Sequence, residues 1–123
     1  MYLIDTNVLI YAIAGREPDA TFLKRTIEKG IIALSVITLA EFLTKASRKE
    51  QGVVEKLVGA FPLLAVEEQT ARTAAASRRH YLSSSKGKLL DHLMAAQAKL
   101  HNLTLVTNNK EDFPTKDIKV ISP

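Results

Sequence analysis

Tyr2-Leu3-Ile4-Asp5-Thr6-Asn7-Val8-Leu9-Ile10 is the stretch from which the fold of this chain can be worked out. It opens with a short apolar run that has β-branched and aromatic character, which predicts a strand. The run breaks at Asp5, where Asp, Thr and Asn in succession favour a turn or a helix cap, and apolar spacing then resumes. Asp5 is therefore predicted to lie where a buried strand ends and a helix begins. Ligands bind at this end of the strands in open α/β sheets, so Asp5 is either a helix cap or part of a binding site.

The composition is that of one compact domain spanning residues 1–123, with 46% hydrophobic residues. The absence of cysteine excludes disulfides and thiolate metal sites and fits a cytoplasmic protein. No apolar segment approaches the roughly 20 residues of a membrane-spanning helix, so no membrane association is expected. Lys and Arg outnumber Asp and Glu by 17 to 13, and the resulting charge of +4 weakly favours polyanionic partners such as RNA.

Short apolar runs alternate with longer amphipathic segments along the whole chain, which predicts a parallel sheet with helices on both faces. The fold class is a single-domain three-layer α/β/α architecture with a central parallel sheet. Polar residues follow the strands that end at Ile4, Leu34 and Val106, and in a parallel sheet all three strand ends open on the same edge. Strands are predicted at 2–4, 31–34, 62–66, 103–106 and 119–121, and helices at 7–14, 19–29, 35–49, 52–59, 67–82 and 89–101.

Four acids follow these strands or begin the next helices, and each has an ordinary structural interpretation. Thr38-Leu39-Ala40-Glu41 fits a capping box, and Lys45 could pair with Glu41 one turn later. Asp91 could cap its helix, and Asp112 could form an Asx turn. Gathered at one edge of a sheet, however, the acids would repel one another unless a cation were present. A set of oxygen ligands suits Mg²⁺ or Mn²⁺ better than zinc. The candidate acids are Asp5, Glu41, Asp91 and Asp112.

Four motifs carry a resemblance to a known family, in the same order along the chain. The chain resembles a PIN domain of the VapC toxin type essentially from end to end. The motifs are Leu3-Ile4-Asp5-Thr6-Asn7-Val8-Leu9-Ile10, Ser35-Val36-Ile37-Thr38-Leu39-Ala40-Glu41-Phe42, Leu90-Asp91-His92-Leu93-Met94-Ala95-Ala96-Gln97-Ala98 and Leu105-Val106-Thr107-Asn108-Asn109-Lys110-Glu111-Asp112-Phe113.

The resemblance implies a PIN-like fold and a Mg²⁺- or Mn²⁺-dependent endoribonuclease, usually a homodimer held inactive by a cognate antitoxin. It implies that Asp5, Glu41 and Asp91 form the acidic core, with Asp112 as the fourth acid. We expect Asp5 and Asp91 to hold the principal ion. Asn109 stands where many relatives have an acid. The polar positions expected to support the site are Asn7, Thr107, Asn108 and Asn109.

Basic residues around an acidic pocket would be needed to hold RNA phosphates. Lys86, Lys88 and Lys110 are the main candidates, with Arg78, Arg79 and Lys45 as further ones, although each could equally be ordinary solvated surface. The histidines His80, His92 and His101 are expected to be structural or solvated.

Two other functions remain open on the residues alone. One is a phosphoacceptor domain in which Asp5 is the nucleophile. The other is a non-catalytic RNA- or protein-binding domain that presents an apolar surface from residues 37–57 to a partner.

Overall fold

A computed structural model of the chain describes residues 1–84 and 87–123. Within these residues the structure consists of five short strands and six α-helices, and none of the helices is long and apolar enough to cross a membrane. The strands are β1 (Tyr2–Ile4), β2 (Ile32–Ser35), β3 (Leu63–Leu64), β4 (Thr104–Val106) and β5 (Val120–Ile121). The helices are α1 (Thr6–Ile13), α2 (Asp19–Glu28), α3 (Val36–Lys45), α4 (Arg48–Ala60), α5 (Glu68–His80) and α6 (Leu89–Leu100), with a 3₁₀ turn at Lys110–Asp112.

The strands form one parallel sheet in the order β3-β2-β1-β4-β5. Leu3 of β1 is in register with Ala33 of β2 on one side and with Leu105 of β4 on the other. The chain builds the sheet outward from β1 in one direction through β2 and β3, and then in the other through β4 and β5. The strand order therefore reverses between β1 and β4, which is where parallel α/β sheets open a crevice for ligands.

The two faces of the sheet belong to two separate apolar clusters, as the alternation of side chains along a strand requires. Ile4 and Val106 point to the cluster formed with α1 to α4, whereas Leu3 and Leu105 point to the cluster formed with Met94 of α6. All five side chains are at most 1% exposed. This arrangement confirms the predicted three-layer α/β/α fold with a parallel sheet.

The prediction of a single helix over residues 35–49 is wrong about where this helix ends. Helix α3 ends at Lys45, and the backbone is extended at Ala46. Ser47 then begins a new helix, because its hydroxyl accepts from the Glu50 backbone while the Glu50 carboxylate accepts from the Ser47 backbone. This capping box stabilises the start of α4, so the helix predicted at 52–59 in fact spans Arg48–Ala60.

Three local details complete the description of the helices and the edge strand. Asp19 is the first residue of α2 and not its cap, while the Glu17 carboxylate accepts from the Thr21 backbone. Leu90 lies in the first turn of α6 and is 49% exposed. The strand predicted at 62–66 is shortened to Leu63–Leu64 at the edge of the sheet.

The apolar surface expected over residues 37–57 is mostly absent, because its large side chains pack inside the protein. Phe42, Val54 and Leu57 are all less than 9% exposed and belong to the cluster below α1 to α4. Val53 is 38% exposed and is the most exposed large apolar side chain that the structure describes in this span. The residues that were to serve a partner instead form the core.

Gln97, which interrupts the apolar stripe of α6, is fully buried and joins α6 to the chain after β3. Its side-chain amide donates to the carbonyls of Leu64 and Ala65, both at 3.1 Å. These bonds fasten the short edge strand to the helix layer. The donor group of this buried amide is paired, whereas its Oε1 atom has no hydrogen-bond partner in the described part of the chain.

We expect Gln97→Leu to lower the free energy of unfolding by about 1–2 kcal/mol, because it leaves the Leu64 and Ala65 carbonyls without their donor. Urea unfolding followed by circular dichroism measures this loss. Gln69→Leu on the exposed side of α5 is the matched control and should change stability by less than about 0.5 kcal/mol. Equal effects of the two substitutions would contradict a structural role for the buried amide.

Candidate metal centre

Asp5 lies at the carboxyl end of the central strand β1 and caps α1. One carboxylate oxygen accepts from the Thr6 backbone at 2.8 Å, and the other accepts from the Thr107 hydroxyl at 2.7 Å. Both bonds lower the pKa of Asp5, but burial raises it more, and the charges of Glu41 and Asp112 add to that rise. The net effect is a carboxyl group whose pKa is raised, and it is both a helix cap and a member of an acidic cluster.

Glu41 does not form the capping box that the sequence allowed. It lies in the interior of α3, on the exposed surface, and one of its carboxylate oxygens accepts from the Thr6 hydroxyl at 2.6 Å. The helix is capped instead by Ser35, which accepts from the Ile37 backbone. Thr38, proposed as the cap, is buried and donates to the Ile4 carbonyl. Glu41 is thereby tied to the residue that follows Asp5.

Asp91 and Asp112 approach the same edge from α6 and from the loop after β4. Asp91 lies in the first turn of α6, and its carboxylate accepts from the Lys88 backbone at 3.1 Å, so the predicted capping role is present. Partial burial is the largest cause that raises the pKa of Asp91 to about 6, and the charges of Asp112, Asp5 and Glu41 raise it further. Asp112 ends the 3₁₀ turn and is half-buried.

The four acids are therefore close enough for their charges to act on one another. Within residues 1–84 and 87–123, none of them makes an ion pair with a basic side chain. In the same residues, no three His, Asp or Glu side chains are close enough to form a ready-made ligand set for one ion. The site is an open array of carboxylate oxygens with uncompensated negative charge, which can bind a hard cation that keeps water among its ligands.

The expected supporting residues divide into those that reach the acids and those that do not. Thr107 is fully buried between β4 and Asp5, and its oxygen also accepts from the Asn109 backbone. Asn108 points away from the acids and donates to Asp19 at 2.7 Å. In the part of the chain that the structure describes, no hydrogen bond joins the side chain of Asn7 or Asn109 to any of the four acids.

Two residues that sequence reasoning did not assign to the site take part in its construction. Thr6 holds both Asp5, through its backbone, and Glu41, through its hydroxyl. Asp19 is 3% exposed and anchors Asn108, and thus the start of the loop that carries Asp112. Thr6 could have been noticed as a hydroxyl residue directly after the strand-end acid. Asp19 carries no such signal, since its partner is 89 residues away.

The basic candidates are less directly placed than the acids. Lys88 and Lys110 are exposed, at the start of α6 and in the 3₁₀ turn next to Asp112. Arg79 and Lys45 are exposed, whereas Arg78 donates to the Tyr81 carbonyl at 3.0 Å. Lys86 lies outside the described residues.

Comparison with known proteins agrees with this architecture. The PIN domain family model matches residues 2–119. The chain belongs to the PIN domain family. It is 32% identical to Ribonuclease VapC10 of Mycobacterium tuberculosis over 115 residues, which cover 93% of this chain and 86% of that protein. It is 31% identical to Ribonuclease VapC2 of Rickettsia felis over 121 residues, which cover 92% and 90%.

A solved toxin-antitoxin complex from Klebsiella pneumoniae has a similar fold. The TM-score is 0.77 at 26% identity, with 98% of this chain and 96% of that chain covered. The matched span of the PIN domain, residues 2–119, includes Asp5, Glu41, Asp91 and Asp112 together with Thr6 and Thr107.

The raised pKa of Asp91 predicts a pH dependence of stability in the metal-free PIN domain. Its ordinary pKa of 3.8 applies to the unfolded chain and about 6 to the folded protein. Between these values the folded protein binds more protons, so the free energy of unfolding falls as the pH rises through this window. Asp91→Asn removes this loss, and because the group is partly solvated we expect the variant to gain only about 1 kcal/mol over wild type at pH 7.

Unfolding in urea at pH 4 and pH 7 in the presence of EDTA measures this difference. Asp117→Asn is a control that should change the free energy of unfolding in the opposite direction. The hydrogen bond from Lys99 lowers the pKa of Asp117, so the Asp117 charge is stabilising at neutral pH. A variant Asp91→Asn that is no more stable than wild type at pH 7 would contradict the raised pKa of Asp91 and the cost of burying its charge at this edge.

Proposed function

We propose that this PIN domain is a divalent-metal-dependent endoribonuclease, the toxin of a toxin–antitoxin pair, which hydrolyses RNA phosphodiester bonds. The observation that carries the proposal is the cluster of four carboxylates at the carboxyl edge of the sheet, none of which forms an ion pair within residues 1–84 and 87–123. Relatives more than 30% identical over most of both chains bear the name ribonuclease, which supports the reaction class. A structural relative that is a toxin-antitoxin complex supports the biological role.

The donor set fits Mg²⁺ or Mn²⁺, because it offers oxygen ligands alone and carries excess negative charge. Asp5 and Asp91 would hold the principal ion, with Glu41 and Asp112 completing the shell directly or through water. The open arrangement agrees with the habit of Mg²⁺ of binding one or two carboxylates, several waters and substrate phosphates. When bound, such an ion would supply an activated water and neutralise charge that develops on the phosphoryl oxygens.

The residues of the chain prepare this site by fixing the carboxylates. The Thr107 and Thr6 hydroxyls orient Asp5 and Glu41 through short hydrogen bonds, and the Lys88 backbone orients Asp91. These donors are neutral, so they position the acids without cancelling the charge that attracts a cation. The raised pKa of Asp91 means that near pH 6 cation binding must displace a proton from this carboxyl group.

RNA would be held beside the acids by exposed amines, of which Lys88 and Lys110 are the nearest along the chain. Lys86 is proposed for the same role on sequence grounds alone. We further propose that the enzyme acts on cytoplasmic RNA, that it forms a homodimer, and that a cognate antitoxin inhibits it by covering the acidic cluster.

Replacement of Asp5 or Asp91 by Asn should reduce Mg²⁺-dependent RNA cleavage by roughly 100-fold or more, because each removes a charge that holds the ion. Gel analysis of a labelled RNA with added Mg²⁺ or Mn²⁺ measures the effect. Glu28→Gln, on the exposed end of α2, is the matched charge control and should leave cleavage unchanged.

Undiminished cleavage in both Asp variants would remove the proposed ion site. Wild-type protein that binds RNA but does not cleave it with either metal would favour a non-catalytic domain. Phosphorylation of Asp5 by a small phosphoryl donor, seen as an added mass on the intact protein, would favour the phosphoacceptor function.

Mg²⁺ should also raise the melting temperature, because it relieves carboxylate repulsion only in the folded state. At ten times the dissociation constant the expected rise is about 4 °C for a domain of this size. Differential scanning calorimetry measures it, with NaCl at equal ionic strength as the salt control. The rise should be absent in Asp5→Asn/Asp91→Asn, and no rise in the wild type at about 10 mM metal would count against ion binding.

A further inference from the structure

A second concave site lies between α5, α6 and the segment before β5, separate from the acidic cluster. Its volume is about 610 Å³, within the range of small-molecule sites, and none of the four acids lines it. The small side chains Ala76, Ala95 and Ala96 line the place where α5 and α6 face each other. Polar and aromatic side chains from three segments of the chain converge on the same space.

Two residues that line the cavity carry a buried polar atom without a hydrogen-bond partner in the described part of the chain. These atoms are His92 Nε2 and Thr115 Oγ1. His92 is 1% exposed, and its other ring nitrogen, Nδ1, lies 2.8 Å from the Ser77 hydroxyl oxygen. Nε2 lies near Gly87, which does not line the cavity. Buried polar atoms are nearly always paired, so the Thr115 hydroxyl points to a hydrogen-bonding guest in the cavity.

An aromatic wall and a cationic rim define the chemistry of that guest. The Tyr81 and His92 rings are stacked with their centroids 6.0 Å apart, and His80 meets Tyr81 edge-on at 4.8 Å. Lys99 is paired with Asp117 at 2.7 Å. The adjacent Lys116 is exposed and makes no ion pair within residues 1–84 and 87–123. A flat ring with polar edges, joined to an anionic group, would suit the Tyr81 ring, the unpaired Thr115 hydroxyl and the Lys116 ammonium together.

The cavity adjoins the acidic cluster through α6. Asp91 belongs to the cluster, and the next residue, His92, lines the cavity. From His92 the lining continues along one stripe of α6 through Ala95 and Ala96 to Lys99, a distance of about 10 Å. The two sites therefore share one helix, and a nucleic-acid strand held at the acids passes close to the cavity if it follows α6.

We propose that the cavity between α5 and α6 binds a nucleotide, with its base against the partly exposed ring of Tyr81 and its phosphate at Lys116. The nucleotide is either part of the RNA substrate, in which case the inference rests on the proposed function, or a free mononucleotide. Base stacking on an aromatic ring tolerates all four bases, so the site would add affinity more than sequence preference.

Titration of the ¹⁵N-labelled full chain with AMP, CMP, GMP and UMP in EDTA tests the site without any cleavage. The expected result is saturable movement of the Ser77, Ala95 and Thr115 amide signals, with dissociation constants of millimolar order or tighter, in wild type and in Asp5→Asn alike. No saturable shift with any of the four nucleotides would overturn the proposal, whatever the outcome of the cleavage assays.

Three variants connect binding to the named side chains. Tyr81→Ala and Lys116→Glu should each weaken nucleotide binding about 5-fold or more, and Tyr81→Phe, which keeps the ring, should bind like wild type. Lys56→Glu on the exposed side of α4 is the charge control and should have no effect. Circular dichroism melting verifies that each variant is folded, and unchanged affinity in both folded weakening variants would refute the assigned residues.

The KM for Mg²⁺-dependent cleavage of a short RNA shows whether the bound nucleotide belongs to the RNA substrate or is a free mononucleotide. A rise of about 5-fold or more in Tyr81→Ala and Lys116→Glu, with kcat retained, assigns the cavity to the substrate. Lost mononucleotide binding with an unchanged KM assigns it to a free nucleotide. If wild type does not cleave RNA at all, the proposed function fails while the titration still decides the nucleotide site.

Discussion

The gathering of four partly desolvated carboxylates at the carboxyl edge of one parallel sheet is the constraint on which the candidate site depends. Asp5 is placed at the centre of that edge because β1 is the central strand and the strand order reverses beside it. Glu41, Asp91 and Asp112 arrive from three other segments, and the charges of Glu41 and Asp112 add to the burial that raises the pKa values of both Asp5 and Asp91. A protein that crowds like charges in this way is less stable than it could be, which is characteristic of a site built for a cation.

The hydrogen bonds that hold these acids agree with the proposed cation site. The Asp117 carboxylate is stabilised by the Lys99 ammonium. Asp5, Glu41 and Asp91 at the sheet edge are held instead by two threonine hydroxyls and by backbone amides. Thr6 is central to this arrangement, because one residue fixes the relative position of Asp5 and Glu41. Hydrogen bonds from neutral donors give orientation while the negative charge stays available.

Helix α6 serves two parts of the molecule at once. Its first turn presents Asp91 to the acidic edge, its apolar side packs on the sheet through Met94, and Gln97 fastens the edge strand β3. The stripe that begins at His92 faces the cavity shared with α5. Because a rigid helix carries both the acid and the cavity wall, the distance between the two sites is fixed by the helix and not by a loop.

The sequence alone determined the alternation of strands and helices, the parallel sheet and the four segments that carry the acids, because apolar periodicity and strand-end polar residues are local signals. The sequence did not determine which acids only cap a helix and which ones join the acidic cluster. Thr38 and Glu41 satisfied a local capping pattern, yet both found partners about 35 residues away, at Ile4 and Thr6. Likewise, the sequence predicted one helix over residues 35–49, because its apolar side chains continue to Ala46. The capping box of Ser47 and Glu50 instead begins a new helix there. Only the tertiary structure decided three features: the anchoring of Asn108 by Asp19, the burial of Gln97 and the unpaired atoms near Tyr81. Each of them depends on groups that are far apart in the sequence and that folding brings together.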